Sequence, residues 1–444
     1  MQFCSEVVPR RSLRRRVECP FRMYFVYTVL LALALFLSLP YWLFRMIRDH
    51  KYRAGLGERF GKVPRRLTDP RARQGIWIHA VSVGEILAVT RLIGELKKSY
   101  PEHRVYISTT TDTGQKLARQ RFGEEDVFYF PLDFPFAIRP YLKSLRPDLL
   151  VIVETEFWPN VLRLTSQHGA RIAIVNARIS DRSRRGYSFI GWITARVLSN
   201  VSVFLAQTDV DRQRLIEIGA PADRVQVSGN LKFDVAASEP PAIVASLRAS
   251  FANTKAGPVI VAGSTMEGEE PLLLRAFEIV RGTHPRAVMI LAPRHPQRFQ
   301  TVVDLITFLG LPVLRRSLWS GEELAGTVLV LDTIGELAAV YALADLAFVG
   351  GSLVEYGGHN ILEPAQYGVA TLIGPHYENF RDMVNLFRAT DAVRVVGPAE
   401  LPLAFVELVS NRAEREALGK RGLATLHTQR GATQRTMQAL RPLL

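Results

Sequence analysis

Two series of short, almost wholly apolar segments, rich in Val, Ile and Leu, dictate what this chain can fold into. The first series lies at 76–81, 105–109, 149–155, 171–177, 202–207 and 225–230, with helical patterns from about Ile86 to Ser99, from Asp112 and from Asp209. Strands that are apolar on both faces, alternating with helices, form a mostly parallel sheet covered on both sides. A segment at 235–256 follows, and its Pro240-Pro241 reads as a linker leading into a helix. The second series lies at 258–264, 287–294, 312–316, 327–333, 346–352 and 370–374, with helices from Glu269 and Gln297. At 444 residues the chain is too long for one core. The expected fold is α/β, with two Rossmann-like domains facing a central cleft. Ligands in such sheets bind at the carboxyl ends of strands, so the loops after strands hold the candidate chemistry.

Charge narrows the partners. Lys and Arg number 56 against 42 Asp and Glu, a net charge of +14, which favours phosphorylated substrates or an anionic membrane surface. Nucleic acid is disfavoured, because no zinc-ligand spacing or RNA-recognition motif occurs and the basic residues are dispersed beyond the N-terminal region. Cys4 and Cys19 are the only cysteines, which excludes a disulfide framework and a thiolate metal centre. Both lie in an arginine-rich leader, 1–22, that a start at Met23 would remove.

An uncharged apolar run, Tyr24–Phe44, comes next, with aromatic residues at both ends. It is long enough to span a bilayer. No small-residue cleavage site follows, and Arg45 and Arg48 come directly after, so 23–48 reads as an anchor rather than a cleaved signal. Pro40 would also permit a kink or a shallow placement. The basic residues beyond the run tilt the orientation toward a cytoplasmic C-terminal side. The expected domains are the leader 1–22, the anchor helix 23–48, an N-terminal domain 49–234 and a C-terminal domain 235–444. Gly55-Leu-Gly57-Glu-Arg-Phe-Gly61 has the wrong spacing for a dinucleotide fingerprint and no preceding strand, so it reads as a turn.

The loop at Gly350–Pro375 is the richest in glycine. It reads as a strand end, a glycine loop, a short helix and a second strand, an arrangement able to hold a phosphate by backbone N–H groups. Gly357 and Gly358 allow close approach, Asn360 caps the helix and Glu363 lies one turn in. No P-loop lysine motif is present. Glu85, at the start of a helix after the first strand, is expected to be held ionised by the helix terminus and able to take a proton. An equally open reading makes it a charge that merely complements that terminus. His79 reads as a hydrogen-bonded core residue.

Glu154-Thr-Glu156-Phe-Trp158-Pro-Asn160 follows a strongly apolar strand and is suited to sugar hydroxyls or to charge balance. Asn176-Ala-Arg178 follows the next strand, and Lys232, beside the linker, is either an anion ligand or a solvated cation. In the second half, Pro293 and Arg294 end a strand, where a guanidinium fork suits phosphate or carboxylate. Ile334, Gly335 and Glu336 precede a helix whose free N–H groups are candidates for a ligand. Metal-ligand spacing is absent, so neither a protein-held metal nor another cofactor is expected.

Taken in order, HAVSVGE, STTTDTGQ, PLDFP, ETEFWPN, NARISDRS, GNLKFD, AGSTMEGEE, LAPRHPQRF and GGSLVEYGGHNILEPAQYG resemble the bacterial 3-deoxy-D-manno-octulosonic acid (Kdo) transferases of lipid A biosynthesis. The resemblance runs from about Tyr24 to the C-terminus; the leader is its one departure. It implies a GT-B glycosyltransferase fold anchored by the N-terminal helix on the cytoplasmic side of the inner membrane. It also implies inverting transfer of Kdo from CMP-Kdo to the 6′-hydroxyl of a tetraacyldisaccharide 4′-phosphate lipid A precursor. By the same resemblance Glu85 is the base, and Glu154 and Lys232 stabilise the transition state. Pro293, Arg294, Ile334, Gly335, Glu336, Asn360, Ile361, Leu362 and Glu363 bind CMP. Two alternatives remain open on the residues alone: a UDP-sugar transferase or epimerase, and a non-catalytic membrane-tethered nucleotide-sugar binder.

Overall fold

The computed structural model describes residues 11–48, 54–68, 74–234 and 242–444. The start of the leader with Cys4, the basic residues Lys51 and Arg53, and the Pro240-Pro241 linker lie outside the described residues. The chain divides into two compact units, Met1–Asp234 with Gly431–Leu444, and Val235–Arg430.

The first unit is built on β1 (Gly75–His79), β2 (Arg104–Thr109), β3 (Val127–Tyr129), β4 (Pro147–Val153), β5 (Arg171–Ala177), β6 (Val203–Ala206) and β7 (Val225–Val227). They form one parallel sheet in the order β3-β2-β1-β4-β5-β6-β7. Ile78 of β1 pairs with Ile107 on one side and Val151 on the other. The helix Val83–Ser99 covers β1, burying Ile86, Val89, Leu92, Ile93 and Leu96 completely. That i, i+3, i+4 stripe stabilises by about 1.5–3 kcal/mol per side chain. It also fixes the rotation of the helix and so the direction of its first turn.

The second unit repeats the design with β8 (Val259–Thr265), β9 (Val288–Pro293), β10 (Val313–Arg315), β11 (Val328–Val330), β12 (Leu346–Val349), β13 (Ala370–Ile373) and β14 (Arg394–Val395). Its order is β10-β11-β9-β8-β12-β13-β14, again parallel. The α/β class and both strand series agree with the sequence reading. The strands β3, of three residues, and β14, of two, escaped it.

One boundary differs. The sequence reading left everything after 235 in the second domain, whereas Gly431–Leu444 packs with the first unit. Ala432 and Leu440, on the helix Ala432–Leu440, are buried in the same cluster as Ile76, Ile78 and Leu92. The buried Asp234 carboxylate accepts from Gly431 N at 2.7 Å and from Thr433 N, capping that helix.

The N-terminal helix runs Arg11–Arg48, so its backbone begins before the expected Met23. Among the described residues it is the one helix long and apolar enough to cross a membrane, by length and composition, over Arg22–Trp42. Its early turns pack on the first unit: Tyr24 is buried, Asn200 donates to the Tyr24 hydroxyl at 3.1 Å and Asn160 donates to Thr28 Oγ1 at 3.0 Å. Further on, Phe36 and Leu37 are exposed by 71% and 70%. Gly55–Gly61 forms the expected turn around the short helix Leu56–Arg59.

Candidate active site

At the carboxyl end of β1 the chain turns through Val81-Ser82 into the helix Val83–Ser99. Ser82 caps the helix, accepting from Glu85 N at 3.4 Å, and Glu85 reaches back, Oε1 to the Ser82 hydroxyl at 2.9 Å and Oε2 to Val81 N at 2.7 Å. This reciprocal bonding is a capping box, so Glu85 does complement the helix terminus. It is not held simply ionised, as the dipole alone suggested. Burial pushes its pKa up to about 7; the bonds to Val81 and Ser82 pull it down, and the charges of Glu154 and Glu156 push it up further. A carboxylate poised near neutrality is suited to exchanging a proton.

Beneath it, His79 is fully buried and stacked on Phe130, ring centroids 3.6 Å apart, with Nδ1 3.1 Å from Ser108 Oγ. Burial lowers its pKa to about 3, so it is a neutral core residue, as the sequence implied.

Glu154 follows β4 with its backbone in the left-handed region at φ 61, a conformation a glutamate adopts only under constraint. Its Oε1 accepts from Lys232 Nζ at 3.1 Å. Lys232 is therefore not a free cation. Its loop is pinned by two asparagines: Asn230 Oδ1 accepts from Lys232 N at 2.9 Å, and buried Asn176 Oδ1 accepts from Leu231 N at 2.9 Å. Gln207 completes the set, donating to Asn176 O and accepting from Asn230 Nδ2. The first unit thus carries Glu85 after β1 and Glu154 and Glu156 after β4, two central strands, while Lys232, beyond the edge strand β7, reaches Glu154.

In the second unit, Pro293 ends β9 buried and Arg294 emerges exposed. Arg294 lies within electrostatic reach of Glu363, whose pKa burial raises while Asn360 and Arg294 lower it. Asn360 Oδ1 accepts from Leu362 N at 3.1 Å, the expected cap. Ile361 and Leu362 are buried, which leaves only their backbone to meet a ligand. Ile334 is 83% exposed beside Gly335, while Glu336 Oε1 accepts from Arg316 at 2.9 Å.

Two expectations about this half fail. The helices after Glu336 and Ile361 span four residues each, Leu337–Val340 and Leu362–Ala365, too short for much macrodipole. The amides of Gly351, Ser352 and Leu353 are also occupied, by the carboxylate of Glu269. The start of the glycine loop therefore binds a resident anion rather than a phosphate. Among the described residues no group of three or more His, Cys, Asp or Glu is placed to hold a metal ion.

Residues 54–235 match the family model for 3-deoxy-D-manno-octulosonic-acid transferase. The chain is 33% identical to the 3-deoxy-D-manno-octulosonic acid transferase of Haemophilus influenzae, over 95% of this chain and 98% of that protein. This chain belongs to the Kdo transferase family. Its relative from Bordetella pertussis, carrying the same name, is 36% identical over 86% of this chain and 90% of that protein.

The Kdo transferase assignment makes this chain a glycosyltransferase acting in lipopolysaccharide biosynthesis. Its two seven-stranded parallel sheets belong to the GT-B fold. A crystal structure of UDP-GlcNAc 2-epimerase from Neisseria meningitidis shares the architecture, with TM-score 0.53, covering 83% of this chain and 100% of that one. At 13% identity that likeness concerns the fold alone. Within the Kdo transferase chain, sequence reasoning passed over Glu156 as an influence on Glu85, Gln207 as a brace and Glu269 as anything more than a helix start. Glu156 and Glu269 each stand in a quoted motif, directly after a strand, which was the available signal.

Proposed function

We propose that this Kdo transferase moves Kdo from CMP-Kdo to the 6′-hydroxyl of a tetraacyldisaccharide 4′-phosphate lipid A precursor, with inversion at the anomeric carbon. The observation that carries the reading is the placement of Glu85, a buried carboxylate opening the helix after β1 and bonded to Val81 N and the Ser82 hydroxyl, with burial pushing its pKa up to about 7. An acceptor hydroxyl is unreactive until its proton has somewhere to go, and a base near neutral pKa provides that at little energetic cost.

The acceptor oxygen attacks the anomeric carbon as its proton passes to Glu85. The bond from that carbon to the phosphate oxygen breaks, and CMP leaves with the electron pair. A single displacement inverts the centre, and the sugar carries oxocarbenium character midway. Lys232, held by Glu154, supplies fixed positive charge to the anionic sugar and leaving group. Arg294 takes the phosphate, Ile334 offers an apolar face for the base, and Asn360–Glu363 hold the rest of the nucleotide.

The exposed apolar helix supports anchoring in the inner membrane, with both units on the cytoplasmic side where basic residues accumulate. A competition assay tests the donor: CMP, but not UDP, should block transfer from CMP-Kdo. Equal inhibition by UDP would contradict the reading.

A further inference from the structure

The least expected feature of the second unit is the surroundings of Glu269. Its side chain is fully buried, and both oxygens accept backbone N–H groups. Oε2 accepts from Met266 N at 2.8 Å and Gly351 N at 2.7 Å; Oε1 accepts from Ser352 N at 2.9 Å and Leu353 N at 2.8 Å. Burying an ionised carboxylate is costly unless its lone pairs are filled. Here four amides fill them, three from one loop. Burial pushes the Glu269 pKa up and those amides pull it back down.

The carboxylate reaches the loop because the chain has no side chain in the way. A Cβ on Gly350 would lie 2.8 Å from Glu269 Oε2 and 2.6 Å from Ser264 O. Gly351, at φ 69, is equally constrained: a Cβ there would lie 2.9 Å from the His359 ring. Gly351 O in turn accepts from Gly358 N at 2.7 Å. The path from Glu269 through Gly351 to Gly358 and His359 therefore ends directly before Asn360, and His359 feels the charges of Arg294 and His295.

We propose that Glu269 is a positioning residue for the donor: by gathering the amides of Gly351, Ser352 and Leu353 it fixes the loop that presents Asn360 and Glu363. This rests on the donor reading above. Glu269 does not touch the nucleotide; it sets where the nucleotide's ligands stand. A glutamine at 269 accepts through one oxygen only and turns its NH₂ toward two N–H donors, so Glu269→Gln should release part of the loop while preserving volume.

The test uses the full-length protein in detergent micelles. Glu269→Gln is expected to weaken CMP affinity and raise KM for CMP-Kdo by roughly tenfold or more, with kcat at saturating donor changed far less. Amide hydrogen exchange over 350–363 should accelerate in the same variant without nucleotide. If Glu269→Gln does not fold, Gly351→Ala serves, since its Cβ displaces the His359 ring and leaves the carboxylate intact; KM should rise again. A folded Glu269→Gln with wild-type affinity and exchange overturns the proposal, as does an unchanged KM in Gly351→Ala. A wild-type protein that binds no CMP would instead overturn the donor reading, leaving the exchange measurement to judge the clamp alone.

Discussion

Lys232 Nζ lies 3.1 Å from Glu154 Oε1, and the glutamate that receives it is held at φ 61. Strain of that kind persists only where the surroundings enforce it. The pair therefore acts as a unit, with Asn176, Asn230 and Gln207 as its frame. Lys232→Ala is expected to lower kcat by about 100-fold with a smaller change in KM. The double variant Glu154→Ala/Lys232→Ala should be no worse than its weaker parent. Additive losses in steady-state kinetics would show that the two residues act separately.

The pH profile follows from Glu85. Its pKa is raised from 4.5 to about 7, and only the ionised form accepts a proton. kcat/KM should therefore rise with pH through an acid limb near 7. Glu156→Gln removes a neighbouring negative charge, so that limb should move to lower pH. For stability the sign is opposite: the contribution of Glu85 is full below 4.5 and is lost as pH rises through about 7. A limb that stays fixed or moves up in Glu156→Gln counts against this electrostatic account.

Donor binding is expected to depend on the shape of Arg294 as well as its charge. Arg294→Ala should raise KM for CMP-Kdo by about 10- to 100-fold, the scale of a charge-assisted bond. Arg294→Lys should recover only part of that. Full recovery by lysine would mean that charge alone matters.

Asp234 makes a stability prediction away from the chemistry. Two amides of the final helix rest on its buried carboxylate. Asp234→Ala should destabilise the first unit by about 1–2 kcal/mol, read as a lowered denaturant midpoint, with donor affinity unchanged. An unchanged midpoint would mean that Ala432 and Leu440 alone hold the helix.

Much of the fold is legible in the sequence because strands such as 149–153 and 259–262 are apolar on both faces and need no partner to be recognised. The places of Glu85, Glu154 and Lys232 are legible for a related reason: Glu154 directly follows an apolar strand, Glu85 opens the helix after another, and Lys232 closes the first series. What stays hidden depends on contacts between distant segments. Asp234 meets Gly431 from 197 positions away, and Glu269 meets Gly351 across four strands; no local period encodes either. The balance at Glu85 was hidden too, because burial and a helix terminus act on it in opposite senses and only packing decides which prevails.

The most direct test compares wild-type protein with Glu85→Gln and Glu85→Ala. Each is given CMP-Kdo and the lipid A precursor, the lipid product is read by mass spectrometry, and CMP affinity is measured in parallel. The account predicts Kdo-bearing lipid from the wild type, none from either variant, and CMP binding retained in all three; near wild-type product from Glu85→Gln would contradict it.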